Sequence, residues 1–97
     1  MIYPVKWMPE AELTYKTVIA YLTQNWSEKE IATFIDRTDE VIQFIAQNPR
    51  QYIYSKKKDA HWAVVTKQIS LYYRIKSLEV ELLVFWDTRQ DPSKLKF

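Results

Sequence analysis

Ile69-Ser70-Leu71-Tyr72-Tyr73-Arg74-Ile75-Lys76-Ser77-Leu78-Glu79-Val80-Glu81-Leu82-Leu83-Val84-Phe85-Trp86 is the stretch that decides the fold. In its first half Ile69, Leu71, Tyr73 and Ile75 alternate with Ser70, Tyr72, Arg74 and Lys76, the two-residue period of a strand with one buried face. The second half, Val80 to Trp86, becomes apolar on both faces toward its far end, which predicts an interior strand covered on both sides. The chain contains no glycine. Lys76-Ser77-Leu78 must therefore make the turn, and none of the three suits a primed two-residue hairpin, so a slightly longer loop is expected. The same holds for Lys67-Gln68.

Upstream, Trp62 to Val65 reads as another strand, and Tyr52 to Ser55 as a short edge strand before it. At the N-terminus, residues Ile2 to Trp7 suit a short strand, and Pro4 places it at a sheet edge or near the strand start. Between these lie two helical patterns. Ala11, Tyr15, Val18, Ile19 and Leu22 share one face of a helix running from about Pro9 to Gln24, with Glu10 and Glu12 in its first turn. Ser27-Glu28-Lys29-Glu30 is a capping box that opens a second helix, with Trp26 placed to pack on Ile31. Ile31, Phe34, Ile35, Val41, Ile42 and Ile45 form its stripe, Asp36 to Glu40 interrupt it as a possible bend, and Asn48-Pro49 stop it. The order β-α-α-β-β-β predicts an α+β domain spanning residues 1–97, an antiparallel sheet packed on an N-terminal helical hairpin.

Composition excludes several kinds of chemistry. At 97 residues there is room for one domain, and it buries only about 60–65% of its unfolded surface. The absence of cysteine removes disulfides, thiol catalysis and Cys-ligated metals. The absence of glycine removes the phosphate loops that need close backbone approach. A single histidine, His61, cannot build a multi-histidine metal site, and no cofactor is expected. No apolar run reaches the roughly 20 residues of a membrane span, and no secretory signal opens the chain, so the expected compartment is the cytoplasm.

Charge is uneven. Residues 1–48 carry four basic and seven acidic side chains, whereas residues 49–97 carry ten and five. Such a dipolar surface steers an acidic partner or a polyanion toward one face. Lys56-Lys57-Lys58 is the densest positive run, suited to phosphate contact or simply a solvated loop. His61 is the natural proton carrier, or an exposed residue at a strand start. Arg74 needs a partner, either Glu81 on the next strand or an incoming anion. Arg89 follows the last strand in Asp87-Thr88-Arg89-Gln90-Asp91-Pro92, where Asp87 or Asp91 can neutralise it. Together with Lys67, these cations are the candidate surface for a nucleic acid or another target. Tyr52, Tyr54, Trp62 and Tyr72 can stack bases or pack the core.

The order of these segments, above all Leu71-Tyr72-Tyr73-Arg74-Ile75 and Glu79 to Pro92, resembles the last two strands and tail of the RelE/ParE toxin superfamily. The ParE-type, plasmid-stabilisation branch is the nearest. The resemblance covers nearly the whole chain and implies that the first strand pairs with the last. It further implies a bacterial type II toxin that inhibits growth and is neutralised by a cognate antitoxin protein. Operator DNA would be bound only through that complex. Within the superfamily some members cleave mRNA on the ribosome and others inhibit DNA gyrase without hydrolysis; a third possibility is an inactive member that only binds its antitoxin. The ribonuclease pattern transfers poorly, because Ser70 stands where the cleaving branch carries a strand arginine and no Tyr or His follows Trp86. Cleavage would have to use His61 as base and Arg89, with Lys56, Lys57 and Lys58, as phosphate-binding cations. Gyrase-type inhibition is the expected mechanism.

Overall fold

The computed structural model describes residues 2–95; Met1, Lys96 and Phe97 lie outside the described residues. A short strand β1 (Val5–Trp7) leads into α1 (Pro9–Asn25) and α2 (Glu28–Gln47). A 3₁₀ turn at Pro49–Gln51 follows, and then β2 (Ile53–Ser55), β3 (Ala60–Val64), β4 (Ile69–Lys76) and β5 (Glu79–Asp87). The five strands form one sheet in the order β1-β5-β4-β3-β2.

The helices start where local chemistry places them. Pro9 occupies the first turn of α1, where its missing N–H costs nothing, and Glu10 and Glu12 face the positive end of the helix dipole. Ser27 caps α2 by accepting a hydrogen bond from the Glu30 N–H at 3.4 Å, the serine half of the expected box. The expected bend in α2 is absent: the helix runs unbroken from Glu28 to Gln47. Thr38 explains this. It sits at zero exposure inside the polar run and donates its hydroxyl to the Phe34 carbonyl at 2.8 Å, satisfying itself within the helix. Phe34, Thr38, Val41 and Ile45 thus form one continuous stripe.

β4 and β5 make the centre of the sheet. Leu71, Tyr73, Val80 and Leu82 are fully buried beneath the helices. Phe85 joins them there, packing on Trp7, Tyr15 and Phe34. On the opposite face Leu83 and Val84 are buried with Ala60 and Leu95, partly covered by Met8, Tyr72 and Trp86. β5 is covered on both faces, as its composition predicts. A bulge between Tyr72 and Tyr73 aligns Val84 with Tyr72 and Leu82 with Tyr73, leaving Leu83 as the extra residue.

Two features differ from the sequence expectation. The sheet is mixed rather than wholly antiparallel, because β1 runs parallel to β5, with Val5 opposite Val80 and Trp7 opposite Leu82. β1 reaches β5 through two helices and three further strands and not through a hairpin, and a pair joined by so long a connection can run parallel. The second difference is the β4–β5 turn. Lys76 pairs directly with Glu79, and the two residues between them, Ser77 and Leu78, adopt φ of 52° and 64°. This is a two-residue primed-type turn built without glycine, so the long apolar ladders on either side hold residues in the left-handed region that they avoid on their own.

Candidate functional site

The sequence-predicted cations do not form one surface. The sheet separates them into two groups at opposite ends of the strands.

At the first end, β3 turns into β4 and β5 leaves the sheet. Thr88 donates its N–H to the Gln68 carbonyl at 2.8 Å, tying the exit of β5 to that turn. Lys67 stands exposed in the same turn. Arg89 is held by Asp87 in a fork: Nε to Oδ1 at 3.0 Å and Nη2 to Oδ2 at 2.7 Å. The Arg89 N–H also donates to Oδ1, at 2.9 Å. This fork holds the Asp87 carboxyl below its ordinary pKa, with burial opposing the effect. Asp87, with a smaller part from Tyr21 on α1, keeps Arg89 firmly charged. Of the two carboxylates proposed from sequence, Asp87 is therefore the neutralising partner, and Asp91 instead accepts the Ser93 N–H at 2.9 Å.

This pair marks the rim of a cleft of about 530 Å³ between the hairpin turn and the end of the sheet. Val18, Tyr21 and Leu22 of α1 form one wall, Phe34 the floor, and Phe85 and Trp86 the other side. Trp26, which the sequence placed on Ile31, is 48% exposed at the mouth, and Tyr21 is 47% exposed. The indole N–H of Trp86 is buried with no hydrogen-bond acceptor among the described residues, a state that buried donors in folded proteins rarely keep. Sequence reasoning treated Trp26 and Trp86 as framework residues and passed over Tyr21. Tyr21 falls outside the apolar face of its helix, and that was the available signal.

At the second end the β2–β3 turn carries Lys56, Lys57 and Lys58. Lys58 donates its ammonium to the Leu95 carbonyl at 2.7 Å, holding the tail against the back of the sheet. Lys56 and Lys57 are exposed. Arg74 lies opposite Glu81 in the β4–β5 register, and its guanidinium also reaches the β2–β3 turn, donating Nε to the Asp59 carbonyl at 2.9 Å and Nη2 to the Lys58 carbonyl at 3.4 Å. His61 stacks on Tyr73 with centroids 5.3 Å apart, and its Nδ1 lies 3.1 Å from the Tyr52 carbonyl. A carbonyl only accepts, so Nδ1 carries the hydrogen and, in neutral imidazole, Nε2 carries the lone pair.

His61 and Arg89 are therefore apart. His61 pairs with Tyr73, and Asp87 pairs with Ile69 four residues away along β4, a separation of roughly 13 Å. The two residues that a ribonuclease reading needs together are not brought together. Among the described residues no cluster of His, Asp or Glu could hold a metal ion, and no helix is long and apolar enough to cross a membrane.

No family model and no curated protein matches this chain. Solved structures do. A chain of the chromosomal ParDE TA system from P. aeruginosa superposes with a TM-score of 0.74 at 13% identity, covering 89% of this chain and 96% of that one. The chain has the RelE/ParE fold. A YoeB–YefM complex from Staphylococcus aureus contributes a second neighbour, with TM-score 0.57 and 15% identity over 88% of this chain and 95% of that one. A heterotetrameric YoeB–YefM toxin–antitoxin complex from the same organism gives 0.56 and 15% over 87% and 94%. The RelE/ParE fold is thus shared across nearly the whole chain, at identities that leave the side chains of both sheet ends to be read on their own terms.

Proposed function

We propose that this chain is the toxin of a bacterial type II toxin–antitoxin module, acting in the cytoplasm by non-hydrolytic, gyrase-type inhibition and silenced by a cognate antitoxin. The observation that carries the reading is the uncovered cleft on a RelE/ParE fold. A chain of 97 residues with a thin stability margin leaves two large aromatics, Tyr21 and Trp26, in water around an apolar hollow. Burying such rings stabilises a complex by roughly 25 cal/mol for each Å² removed from water, so the hollow favours a partner with an apolar face. Its shape suits an amphipathic helix, with Lys29 and Arg89 at the rim to receive acidic side chains. The solved neighbours are themselves toxin–antitoxin assemblies, which supports an antitoxin as that partner.

The preference for inhibition without cleavage rests on the separation of His61 from Arg89. Phosphodiester cleavage by side chains alone requires a base and a charge-stabilising cation on one phosphate. Here the only imidazole and the terminal-segment arginine serve opposite ends of the sheet, and Arg89 is already matched to Asp87. Expression of the chain alone tests this. The expected result is growth arrest with loss of DNA supercoiling by gyrase and full-length transcripts, relieved by co-expression of the antitoxin. Transcripts truncated on translating ribosomes, with supercoiling intact, would assign mRNA cleavage instead. Unimpaired growth would mark an inactive member that only binds its antitoxin.

A further inference from the structure

β2 is the outermost strand of the sheet, and among the described residues no strand pairs with its outer side. Ile53 is 60% exposed and Tyr54, the next residue, 50%, although strand alternation puts them on opposite faces of the sheet. Ile53 pairs with Trp62 on the face away from the helices, and Tyr54 pairs with His61, which stacks on the buried Tyr73 beneath them. An apolar side chain bare on each face of one strand marks a missing neighbour strand and not a missing layer. We propose that β2 receives an extended acidic segment of a partner protein as a sixth strand, with carboxylates at the two ends of that segment meeting Arg50 on one side and Lys56 and Lys57 on the other.

Edge strands that avoid pairing carry proline, a bulge or an inward charge. Ile53-Tyr54-Ser55 has none of these, and it pairs with β3 without a bulge. The Tyr54 ring is held in place: its hydroxyl donates to Asp59 Oδ1, and the ring leans on His61 with centroids 5.1 Å apart. A side chain arriving beside it therefore meets a preset surface and immobilises little that is loose. Cations stand at both ends of the strand. Arg50 precedes it in the 3₁₀ turn, and Lys56 and Lys57 follow it in the β2–β3 turn, all three exposed. Among the described residues none of the three has a carboxylate within salt-bridge distance. Asp59, the acidic group of that turn, is engaged by Tyr54.

Charge decides the occupant. A second copy of this chain would bring Arg50 of one β2 toward Lys56 and Lys57 of the other in an antiparallel pair, and each cation toward itself in a parallel pair. Like charges facing across strands destabilise the pairing. A nucleic-acid strand would find the cations, but its phosphates only accept hydrogen bonds, and Ile53 offers no ring to stack on. An extended peptide supplies both the N–H and the C=O groups that an open edge lacks, with alternate side chains for Ile53 and Tyr54. β2 has only three residues, so its ladder alone is short and the charges at its ends set the selectivity.

Fluorescence anisotropy on the full chain tests the assignment with labelled probes: a peptide of alternating Val and Thr with paired Glu at each end, the same peptide ended with Lys, and a thymidine oligonucleotide. The Glu-ended peptide is expected to bind at least about tenfold more tightly than the Lys-ended one and to weaken as salt rises. Arg50→Glu, and Lys56→Glu combined with Lys57→Glu, each weaken it about tenfold or more. Lys16→Glu, a matched reversal on α1, leaves it unchanged. N-methylation of the amides along one edge of the probe removes binding and along the other spares it, which charge attraction alone would not produce. Every substituted side chain is exposed, and circular dichroism confirms the fold of each variant. Equal affinity for the Glu-ended and Lys-ended peptides, or indifference to N-methylation on both edges, overturns the proposal. So does an oligonucleotide that binds far more tightly than the peptide and is released by Arg50→Glu. A dimer in sedimentation that Ile53→Lys dissolves would give the edge to a second copy and overturn it too. β4 and β3 stand between β2 and β5, where the cleft lies, so the sixth strand and the toxin reading can fail separately.

Discussion

The two ends of the sheet are built from the same strands and differ in what neutralises their charge. At the cleft end Arg89 is closed against a carboxylate, and the surrounding surface is apolar and aromatic. At the end that carries the β2–β3 turn Arg74 donates to backbone carbonyls, and Arg50, Lys56 and Lys57 are exposed. An arginine forked to a carboxylate contributes geometry and little net field, whereas carbonyl acceptors fix the plane of a guanidinium against the backbone of a turn. The cations of the second half of the sequence are thus divided between the two ends, and the cleft end adds an apolar, aromatic surface to its share.

Four measurements would break or sharpen this contrast. The largest effect belongs to the framework both ends share. Phe85→Ala removes a ring packed on Trp7, Tyr15 and Phe34 and is expected to destabilise the chain by about 3–5 kcal/mol in denaturant unfolding, with both ends lost together. If one end keeps its order while the other loses it, the sheet is not the common support of both. Next, Trp26→Ala at the cleft mouth is expected to weaken antitoxin binding by about 2 kcal/mol, roughly thirtyfold, with little change in thermal unfolding of the free chain. An unchanged affinity would move the partner off the cleft.

Leu78→Gly relieves a left-handed residue in the β4–β5 turn and is expected to stabilise by about 1 kcal/mol, raising Tm by roughly 4–8 °C. No gain would mean that the apolar Leu78 side chain compensates for its backbone. The smallest effect is that of the Asp87–Arg89 fork, on an exposed arginine. Because folding lowers the Asp87 pKa, its contribution is present above the unfolded carboxylate pKa near 3.9 and is lost as pH falls through the lower folded value. Asp87→Asn should therefore lose less Tm than the wild type between pH 5 and pH 2, and equal losses would show that the fork adds no measurable stability.

The elements were legible because their periodicities are long and clean. Pro9, Ser27 and Pro49 punctuate both helices, and Ile69 to Ile75 alternates without a break. Thr38 was not legible as core, since a threonine in Asp36-Arg37-Thr38-Asp39-Glu40 reads as polar until its hydroxyl finds the preceding turn. The tight Ser77-Leu78 turn was hidden for a related reason: local preference opposes it, and only two long paired strands overrule that preference. Of the candidate site, residue types were visible and their grouping was not. Lys56, Lys58, His61 and Arg74 gather at one end, while Lys67 and Arg89, equally basic on paper, belong to the other.

Sequence by itself determined the element order, the absence of thiol and glycine-loop chemistry, and the excess of positive charge after residue 48. Those properties follow from side-chain types and short-range spacing. Tertiary structure alone decided that β1 joins β5 in parallel, that Arg89 meets Asp87, and that an apolar cleft and the lysines of the β2–β3 turn stand at opposite ends of the sheet. Strand register sets those distances, and register is a property of paired chains that no single stretch of sequence contains.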